Sequence, residues 1–285
     1  MASMAKARRF IQCDVFTSEP TKGNALAVVV DGDDLTEQQM REFAAWTNLA
    51  ETTFLLPPLD PAADYRVRIF TPVREMPFAG HPTLGSCAAW LHCGGVPRTQ
   101  GLVRQECAVG IIDIDVASSV PAFVAPPTEI SVLADADREA IVQALALDMD
   151  TIVGTARLDN GPVWQVFELR SADDVLAVDS SRVRWPQFKS IGLIGRQRSE
   201  HECDYEVRML APSSGMSEDP ITGSLNAALA HWLMQQGRVD RDLSVAQGTS
   251  INRTGRVAIR PDASVPGRVY IGGQSHVLIE GTVCL

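Results

Sequence analysis

The sequence predicts an α+β protein built from two similar halves. Short strands rich in β-branched and aromatic residues alternate with helical segments along all 285 residues. Each half has a strand that leads through a Pro-x-x-Gly-Ser turn into an apolar helix, at "GHPTLGS" (80–86) and at "EDPITGS" (218–224). Solenoid repeats recur about every 20–50 residues, whereas these turns are separated on the scale of a domain. We therefore expect duplication of a whole domain.

The composition is that of a soluble globular protein, with 45% hydrophobic and 21% charged residues. The net charge of −10 disfavours a nucleic-acid partner, because phosphate binding needs a basic face. No apolar run approaches the roughly 20 residues of a membrane span, and no secretory segment is evident. The six cysteines include no CxxC pair, so we expect no zinc ribbon, reduced thiols and a cytoplasmic protein.

In the first half, the strands "RRFIQCDVF" and "ALAVVVD" precede the helix "LTEQQMREFAAWTN". Thr36 and Gln39 are spaced as a capping box at the start of this helix. The strands "TTFLLP" and "YRVRIFTP" then lead to a helix from about Pro82 to His92. "GLVRQECAVGIIDIDV" predicts a strand pair around Gly110.

The Pro-rich stretch "SSVPAFVAPP" marks a domain junction, which divides the chain into 1–120 and 121–285. The second half then repeats the order of the first. The helix "DADREAIVQALAL" is followed by the strands "TIVGTARL" and "PVWQVFEL", a short helix near "SADDVLAV" and the strand "SIGLIGR". The strand "DYEVRMLAP" leads to "EDPITGS" and to a long helix that ends at Gly237. Three short strands close the chain: "RVAIRP", "RVYIGG" and "HVLIEGTV".

Both turns place a Pro near the first helical position and Gly-Ser at the start of the helix. The N–H groups of a first helical turn are unpaired and bind carboxylates or phosphates. Alternatively, Asp219 and Ser224 are only helix caps. The recurrence of the spacing favours a binding role, since capping alone does not require it. His81 occupies the position of Asp219 in the first turn, and a His–Asp pair could hold a polar ring or pass a proton.

Glu51 is a second ionisable candidate, where the first predicted helix gives way to an apolar strand in "NLAETTFLLP". A carboxylate at such a position could be partly buried, with a pKa raised toward neutrality. A carboxylic general acid/base needs this property. The alternative is a surface Glu at a turn, and the spacing alone leaves both open.

These segments together resemble the PhzF family of phenazine-biosynthesis-type isomerases, which has the diaminopimelate-epimerase fold. The resemblance covers nearly the whole chain through "DVFTSEPTKGNALAVVVDG", "WTNLAETTFLLPP", "VRIFTPVREMPFAGHPTLGS", "EDPITGSLNAALAHWL" and "AQGTSINRTGRVAI". It implies two pseudo-symmetric epimerase-like domains, each a β-barrel-like sheet around a central helix. It also implies an active cleft between the domains, a final strand (about 274–285) that returns to the first domain, and a homodimer.

The resemblance further implies isomerisation of a dihydro-hydroxyanthranilate without a metal or nucleotide cofactor. A glutamate takes a proton from one ring carbon and returns it to another. The implied catalytic residues are Glu51, His81 and Asp219, and the implied substrate-binding residues are Asn24, Gly80, Gly223 and Ser224. The expected partner is a small carboxylated substrate, with no nucleic acid and no membrane. The sequence does not identify that substrate.

One departure from the wider fold disfavours a two-thiol racemase. Diaminopimelate epimerases and proline racemases place a Cys in each of the two turns, whereas this chain has His81 and Asp219 there. The nearest thiol, Cys87, lies inside the predicted helix. Two alternatives to the isomerase stay open: a non-catalytic binding or interaction protein on the same scaffold, and an amino-acid epimerase that uses Glu51 and Asp219 as opposed bases.

Overall fold

The computed structural model describes residues 6–182, 190–210 and 217–285. Contacts between Cα atoms divide the chain into a first unit, Met1–Val124 with Gly272–Leu285, and a second unit, Ala125–Ile271. The division follows Val124, a few residues after the expected boundary at 120. The last strand belongs with the first unit. No helix within the described ranges is long and apolar enough to cross a membrane.

Five α-helices and seventeen strands form within the described residues. The helices are α1 (Glu37–Thr47), α2 (Gly80–His92), α3 (Asp135–Leu145), α4 (Ala172–Ala177) and α5 (Gly223–Gln235). The strands are β1 (Ala7–Val15), β2 (Asn24–Val29), β3 (Glu51–Leu56), β4 (Tyr65–Phe70), β5 (Glu75–Met76), β6 (Leu102–Cys107), β7 (Gly110–Asp115), β8 (Ala122–Val124), β9 (Glu129–Ser131), β10 (Ile152–Asp159), β11 (Val163–Leu169), β12 (Ile191–Arg196), β13 (Tyr205–Leu210), β14 (Leu243–Gln247), β15 (Gly255–Pro261), β16 (Val269–Gly272) and β17 (Ser275–Cys284).

The two units share one order of strand pairing. In the first unit β1–β2, β3–β4 and β6–β7 are antiparallel, whereas β2–β3 and β4–β6 are parallel. In the second unit β10–β11, β12–β13 and β14–β15 are antiparallel, whereas β11–β12 and β13–β14 are parallel. Parallel neighbours need a crossover connection, and the crossovers contain α1 and α2 in the first unit and α4 and α5 in the second. The predicted duplication is therefore present in the whole topology.

Each unit is built around a largely buried helix. Nine of the thirteen residues of α2 are buried, and the helix packs against β1, β2, β3 and β17. Ten of the thirteen residues of α5 are buried, and it packs against β10 and β15. A helix that is apolar on all sides is typical of a core position, because no face needs to meet water. The predicted α+β fold class with a central helix in each half is confirmed.

Most predicted elements are present, and the strands missing from the prediction are short. Thr36 Oγ1 accepts from Gln39 N, and Gln39 Oε1 accepts from Thr36 N, so the capping box of α1 is confirmed. β5, β8 and β9 span two or three residues and β14 spans five, too few for a periodic pattern to emerge. The end of the predicted strand "DYEVRMLAP" lies outside the described residues.

Candidate active site

Glu51 is placed by the connection between α1 and β3. Asn48 ends α1 in the left-handed conformation, with φ 55°, and β3 then begins at Glu51. β3 runs parallel to β2, with Glu51 opposite Leu26. The Glu51 side chain is only 17% exposed, so it is not the fully exposed turn residue of the alternative interpretation.

Glu51, His81 and Asn24 meet where two parallel strands and the central helix begin. Asn24 is the first residue of β2, Glu51 is the first residue of β3, and His81 is the second residue of α2 after Gly80. His81 Nε2 lies 3.4 Å from Glu51 Oε2, and His81 Nδ1 lies 3.4 Å from Asn24 Nδ2. His81 and Asn24 are 4% and 2% exposed, so the imidazole is fixed between an amide and a carboxyl group.

Burial keeps the His81 imidazole neutral. It lowers the pKa of His81 to about 3, and a backbone hydrogen bond with Ala25 opposes this only in part. A neutral imidazole has a single N–H group. Nε2 and Glu51 Oε2 lie 3.4 Å apart without the geometry of a hydrogen bond. The Glu51 carboxyl group therefore has an uncharged imidazole as its neighbour, and a carboxyl group serves as a proton carrier by alternating between its base and acid forms.

The buried imidazole predicts a specific pH dependence of stability. Because the His81 pKa is depressed in the folded state, the unfolded chain binds a proton below about pH 6.5 that the folded chain does not. The free energy of unfolding should fall as pH drops from about 6.5 toward 3, by up to about 1.4 kcal/mol per pH unit from this group. We expect His81→Gln to remove this contribution in denaturant titrations between pH 6.5 and 4. Equal pH slopes for the two proteins would contradict the prediction.

The structure corrects the expectation that the two Gly-Ser pairs do the same work. α2 begins at Gly80, so Gly85 and Ser86 lie in its second turn, whereas α5 begins at Gly223. Pro82 is accordingly the third residue of α2 rather than the first. Ser86 Oγ donates to Thr53 Oγ1 at 2.9 Å in the core. The first Gly-Ser pair therefore packs the helix and presents no N–H groups to a ligand.

Gly85 is required for the close packing of α2 on the sheet. A Cβ at this position would lie 2.6 Å from Leu26 Cδ2 and 2.8 Å from Val15 Cγ2, both in the core. We expect Gly85→Ala to lower the free energy of unfolding by about 1–3 kcal/mol, the usual effect of overpacking. Gly281→Ala is the matched control, since a Cβ at Gly281 meets nothing within 4 Å. A Gly85→Ala protein as stable as this control would refute the packing role.

A second polar group lies in the second unit around Asp219. Asp219 is 7% exposed, and its backbone N–H donates to Met209 O at 2.9 Å. Thr222 Oγ1 donates to Asp219 Oδ2 at 2.5 Å. Gln247 Nε2 donates to Thr222 Oγ1 at 3.0 Å, and Gln247 Oε1 accepts from Thr222 N at 3.1 Å. This chain of hydrogen bonds fixes the orientation of the Asp219 carboxylate.

The start of α5 follows directly from this group. Thr222 is the N-cap residue, but its side chain accepts no hydrogen bond from the first-turn N–H groups. Its hydroxyl donates to Asp219 instead. Gly223 and Ser224 are the first two residues of the helix and both are buried. Ser224 O accepts from Asn160 Nδ2 at 2.8 Å. The first turn of α5 keeps the partial positive charge of a helix start, which suits an anionic group.

The "EDPITGS" turn is fixed by a buried ion pair. Arg208, on β13, donates to both carboxylate oxygens of Glu218 at 3.1 and 2.7 Å, and the side chains are 2% and 0% exposed. Arg208 Nη1 also donates to the carbonyls of Val175 and Val178 at 3.0 and 2.6 Å. Because Glu218 directly precedes Asp219, the pair sets the position of the catalytic candidate.

Sequence reasoning assigned no role to Arg208, Glu218, Thr222 or Gln247. Two signals were available. Arg208 lies between Val207 and Met209 in β13, and a charged residue with apolar neighbours in a strand is typical of a buried charge with a partner. Its counterpart Arg68, at the same position of β4, makes a similar two-point contact with Glu75, at 2.7 and 2.6 Å. The duplication therefore includes an arginine–glutamate pair at this position of the strand, although Glu75 lies on β5, five residues before the first turn begins.

The duplication does not include Glu51. Glu51 is the first residue of β3 and stands opposite Leu26, the third residue of β2. In the second unit the first residue of β12 is Ile191, opposite Gln165, the third residue of β11. An isoleucine therefore replaces the glutamate in the second copy. The carboxylate at this position is present once in the duplicated framework.

The buried thiols of Cys87 and Cys13 lie at α2 and are held in the protonated form by burial. Burial raises the pKa of Cys87, inside α2, and of Cys13, on β1, to about 12 for each. A thiol with such a pKa supplies almost no thiolate near neutral pH. Within the described ranges no group of three or more His, Cys, Asp or Glu side chains is arranged to hold a metal ion.

Comparison with known proteins gives matches along nearly the whole chain. The family model PhzC-PhzF, phenazine biosynthesis-like protein, matches residues 13–281. Antisense-enhancing sequence 1 of Schizosaccharomyces pombe is 30% identical, over 95% of this chain and 97% of that protein. Trans-2,3-dihydro-3-hydroxyanthranilate isomerase of Pseudomonas chlororaphis is 30% identical, over 97% of this chain and 99% of that protein.

Solved structures match the fold over the same length. A phenazine biosynthesis protein of the PhzF family from Bacillus anthracis superimposes with a TM-score of 0.83 at 22% identity, covering 98% of this chain and 100% of that chain. A hydroxyproline epimerase from Agrobacterium vitis superimposes with a TM-score of 0.65 at 12% identity, covering 98% and 93%. The epimerase-like fold implied by the sequence is therefore confirmed.

Proposed function

The chain belongs to the PhzC-PhzF family and is an isomerase, and we propose that it moves a proton within a small carboxylate-bearing substrate by general acid/base catalysis without a cofactor. Glu51 is the proton carrier in this proposal. His81 and Asn24 fix its environment, and Asp219 assists from the second unit.

The contact between Glu51 and a neutral His81 is the observation that carries the proposal. A carboxyl group beside a neutral imidazole can accept a proton from carbon and return it, with no second charge next to it. Asn24 holds the opposite ring nitrogen, so the imidazole keeps its orientation while the proton moves. A glutamate stands at this position of the duplicated framework in the first unit only, which supports one carrier that both takes and returns a proton.

Asp219 and the start of α5 have a different role, in binding the substrate. The first-turn N–H groups at Gly223 and Ser224 provide a partial positive charge for a substrate carboxylate. In the first unit the start of α2 at Gly80 provides a second such terminus, since Ala79 has no capping side chain. The Asp219 carboxylate, oriented by Thr222, accepts a hydrogen bond from a donor group of the same substrate.

The function is tested with trans-2,3-dihydro-3-hydroxyanthranilate, the compound named for the Pseudomonas chlororaphis relative. We expect the protein to isomerise it, with the change in ring conjugation followed by absorbance and the product identified by mass spectrometry. Inactivity toward this compound at high protein concentration would contradict its assignment as the substrate.

Asp219→Asn tests whether Asp219 acts on that substrate. The Asn side chain keeps the shape of Asp219 but lacks the negative charge of the carboxylate that accepts from Thr222 Oγ1. We therefore expect kcat/KM for the probe to fall about 10- to 100-fold. Asp242→Asn is the control, since Asp242 is exposed in the same unit, and its kinetics should match the wild type. Unchanged kinetics in Asp219→Asn would remove Asp219 from the site.

A further inference from the structure

A polar cavity of about 670 Å³ lies in the second unit, at the end of β13 that is remote from Asp219. Tyr205 begins β13 and lines the cavity, whereas Asp219 bridges to Met209 four residues along the strand. At about 3.3 Å per residue, the two positions are roughly 13 Å apart along β13. This cavity is therefore distinct from the site around Asp219.

The duplicated topology gives Tyr205 a counterpart, Tyr65, whose hydroxyl is used differently. Tyr65 is the first residue of β4, and its hydroxyl donates to Gln105 Oε1 at 2.9 Å, on the parallel neighbour β6. At the matching place beside Tyr205 the parallel neighbour β14 has Val245, which has no acceptor. The Tyr205 hydroxyl therefore has no side-chain acceptor at the position where Gln105 accepts from the Tyr65 hydroxyl.

The Tyr205 hydroxyl instead accepts from two guanidinium groups. Arg196 Nη2 and Arg238 Nη2 donate to Tyr205 Oη at 3.2 and 3.1 Å, and both groups lie over the ring, 5.5 and 5.6 Å from its centroid. The hydroxyl oxygen is the acceptor in both contacts. Among the described residues no acceptor bonds the remaining O–H, although Tyr205 is only 2% exposed. The phenol O–H of this cavity-lining residue therefore has no acceptor among the described residues.

Arg196 supplies a cation beside that donor. Four arginines line the cavity, and three of them form ion pairs: Arg198 with Asp173, Arg238 with Glu168 and Arg241 with Asp204. Within the described ranges Arg196 has no carboxylate within 4.0 Å; its guanidinium group contacts Tyr205 and interacts at longer range with Asp204, which lines the same cavity. The remaining N–H groups of Arg196 and the phenol O–H are both donors, and together they match an oxyanion.

We propose that this cavity binds the oxyanion group, phosphate or carboxylate, of a second small molecule. Arg196 contributes charge-assisted hydrogen bonds, and the Tyr205 O–H donates to one oxygen of the anion. Arg238 stays paired with Glu168 and holds the phenol in place from the other side. The site does not depend on the proton transfer at Glu51.

Calorimetric titration of the full-length protein with phenyl phosphate, benzoate and inorganic phosphate tests this site. We expect saturable binding of at least one of the three, and the preferred ligand identifies the oxyanion. Arg196→Gln should weaken binding at least tenfold, because it removes a charge-assisted donor. Tyr205→Phe should weaken it about 2- to 10-fold, because it removes one neutral donor.

Arg260 and Tyr270 form the matched control pair. They make the same guanidinium–ring contact in the same unit, with 5.6 Å between the guanidinium carbon and the ring centroid, and neither lines the cavity. Arg260→Gln and Tyr270→Phe should bind the ligands as the wild type does. Arg196 is exposed, so Arg196→Gln is expected to fold normally even if Tyr205→Phe does not. Absence of saturable binding, or binding that Arg196→Gln leaves unchanged, would overturn the proposal.

Discussion

Replacing Glu51 by Gln is expected to lower kcat for isomerisation of the probe by about 10²- to 10⁴-fold, the contribution of a positioned general acid/base. The amide keeps the size of the side chain and its place beside His81, but it can neither take nor return the proton. KM should change little, because Glu51 is not the group that binds the substrate carboxylate in this account. Steady-state kinetics of the two proteins, with equal melting temperatures, would measure the effect.

The control for this change is Glu42→Gln on α1. Glu42 is exposed and accepts a hydrogen bond from Gln38 Nε2 within the helix. The Glu42→Gln substitution therefore removes the same charge from the first unit without changing the site around Glu51. Its turnover should stay within about twofold of the wild type, as expected of a surface substitution. Full turnover by Glu51→Gln would exclude Glu51 as the proton carrier.

Breaking the Arg208–Glu218 pair is expected to have the largest effect on stability. Arg208→Met leaves the Glu218 carboxylate buried without its partner, and this typically costs about 3–5 kcal/mol. The carbonyls of Val175 and Val178 lose their donor as well. Denaturant unfolding followed by tryptophan fluorescence should show a much lower midpoint for the second unit, and Asp219 should lose its fixed position.

Arg198 and Asp173 provide the matched comparison in the same unit. They form an ion pair with an N–O distance of 2.6 Å, but the side chains are 72% and 67% exposed. Arg198→Met should therefore change stability by less than about 1 kcal/mol. The double variant with Arg208→Met and Glu218→Leu should recover part of the loss, since no buried charge remains. Equal effects of Arg208→Met and Arg198→Met would show that burial of the pair does not matter.

The sequence predicted the repeated framework because the residues that recur in both halves are those of strands and turns. "YRVRIFTP" and "DYEVRMLAP" both show the β pattern, and the structure places Arg68 and Arg208 at equivalent positions of β4 and β13. The two Pro-x-x-Gly-Ser turns likewise predicted that a buried helix follows each strand. The turns did not predict where the helices begin. α2 begins at Gly80, the first residue of its turn, whereas α5 begins at Gly223, near the end of its turn, and this difference is visible only in the packed structure.

The candidate site was predictable only in part from local sequence. Glu51 and His81 could be proposed separately, but their 3.4 Å contact depends on the parallel pairing of β2 with β3 and on the seating of α2, which are long-range features. The network of Thr222 and Gln247 joins residues 25 positions apart and has no local signature. That the groups around Glu51 and Asp219 act on one substrate stays a prediction.

The measurement that most directly tests the central claim is isotope incorporation during turnover in D₂O. A carboxyl group exchanges its proton with solvent, so a proton carried by Glu51 should be replaced by deuterium in a fraction of the turnovers. We predict product with one deuterium at the reprotonated carbon for the wild type, and no enzyme-dependent incorporation for Glu51→Gln, by mass spectrometry and NMR. Deuterium incorporation by Glu51→Gln at the wild-type rate would contradict the assignment of Glu51 as the proton carrier.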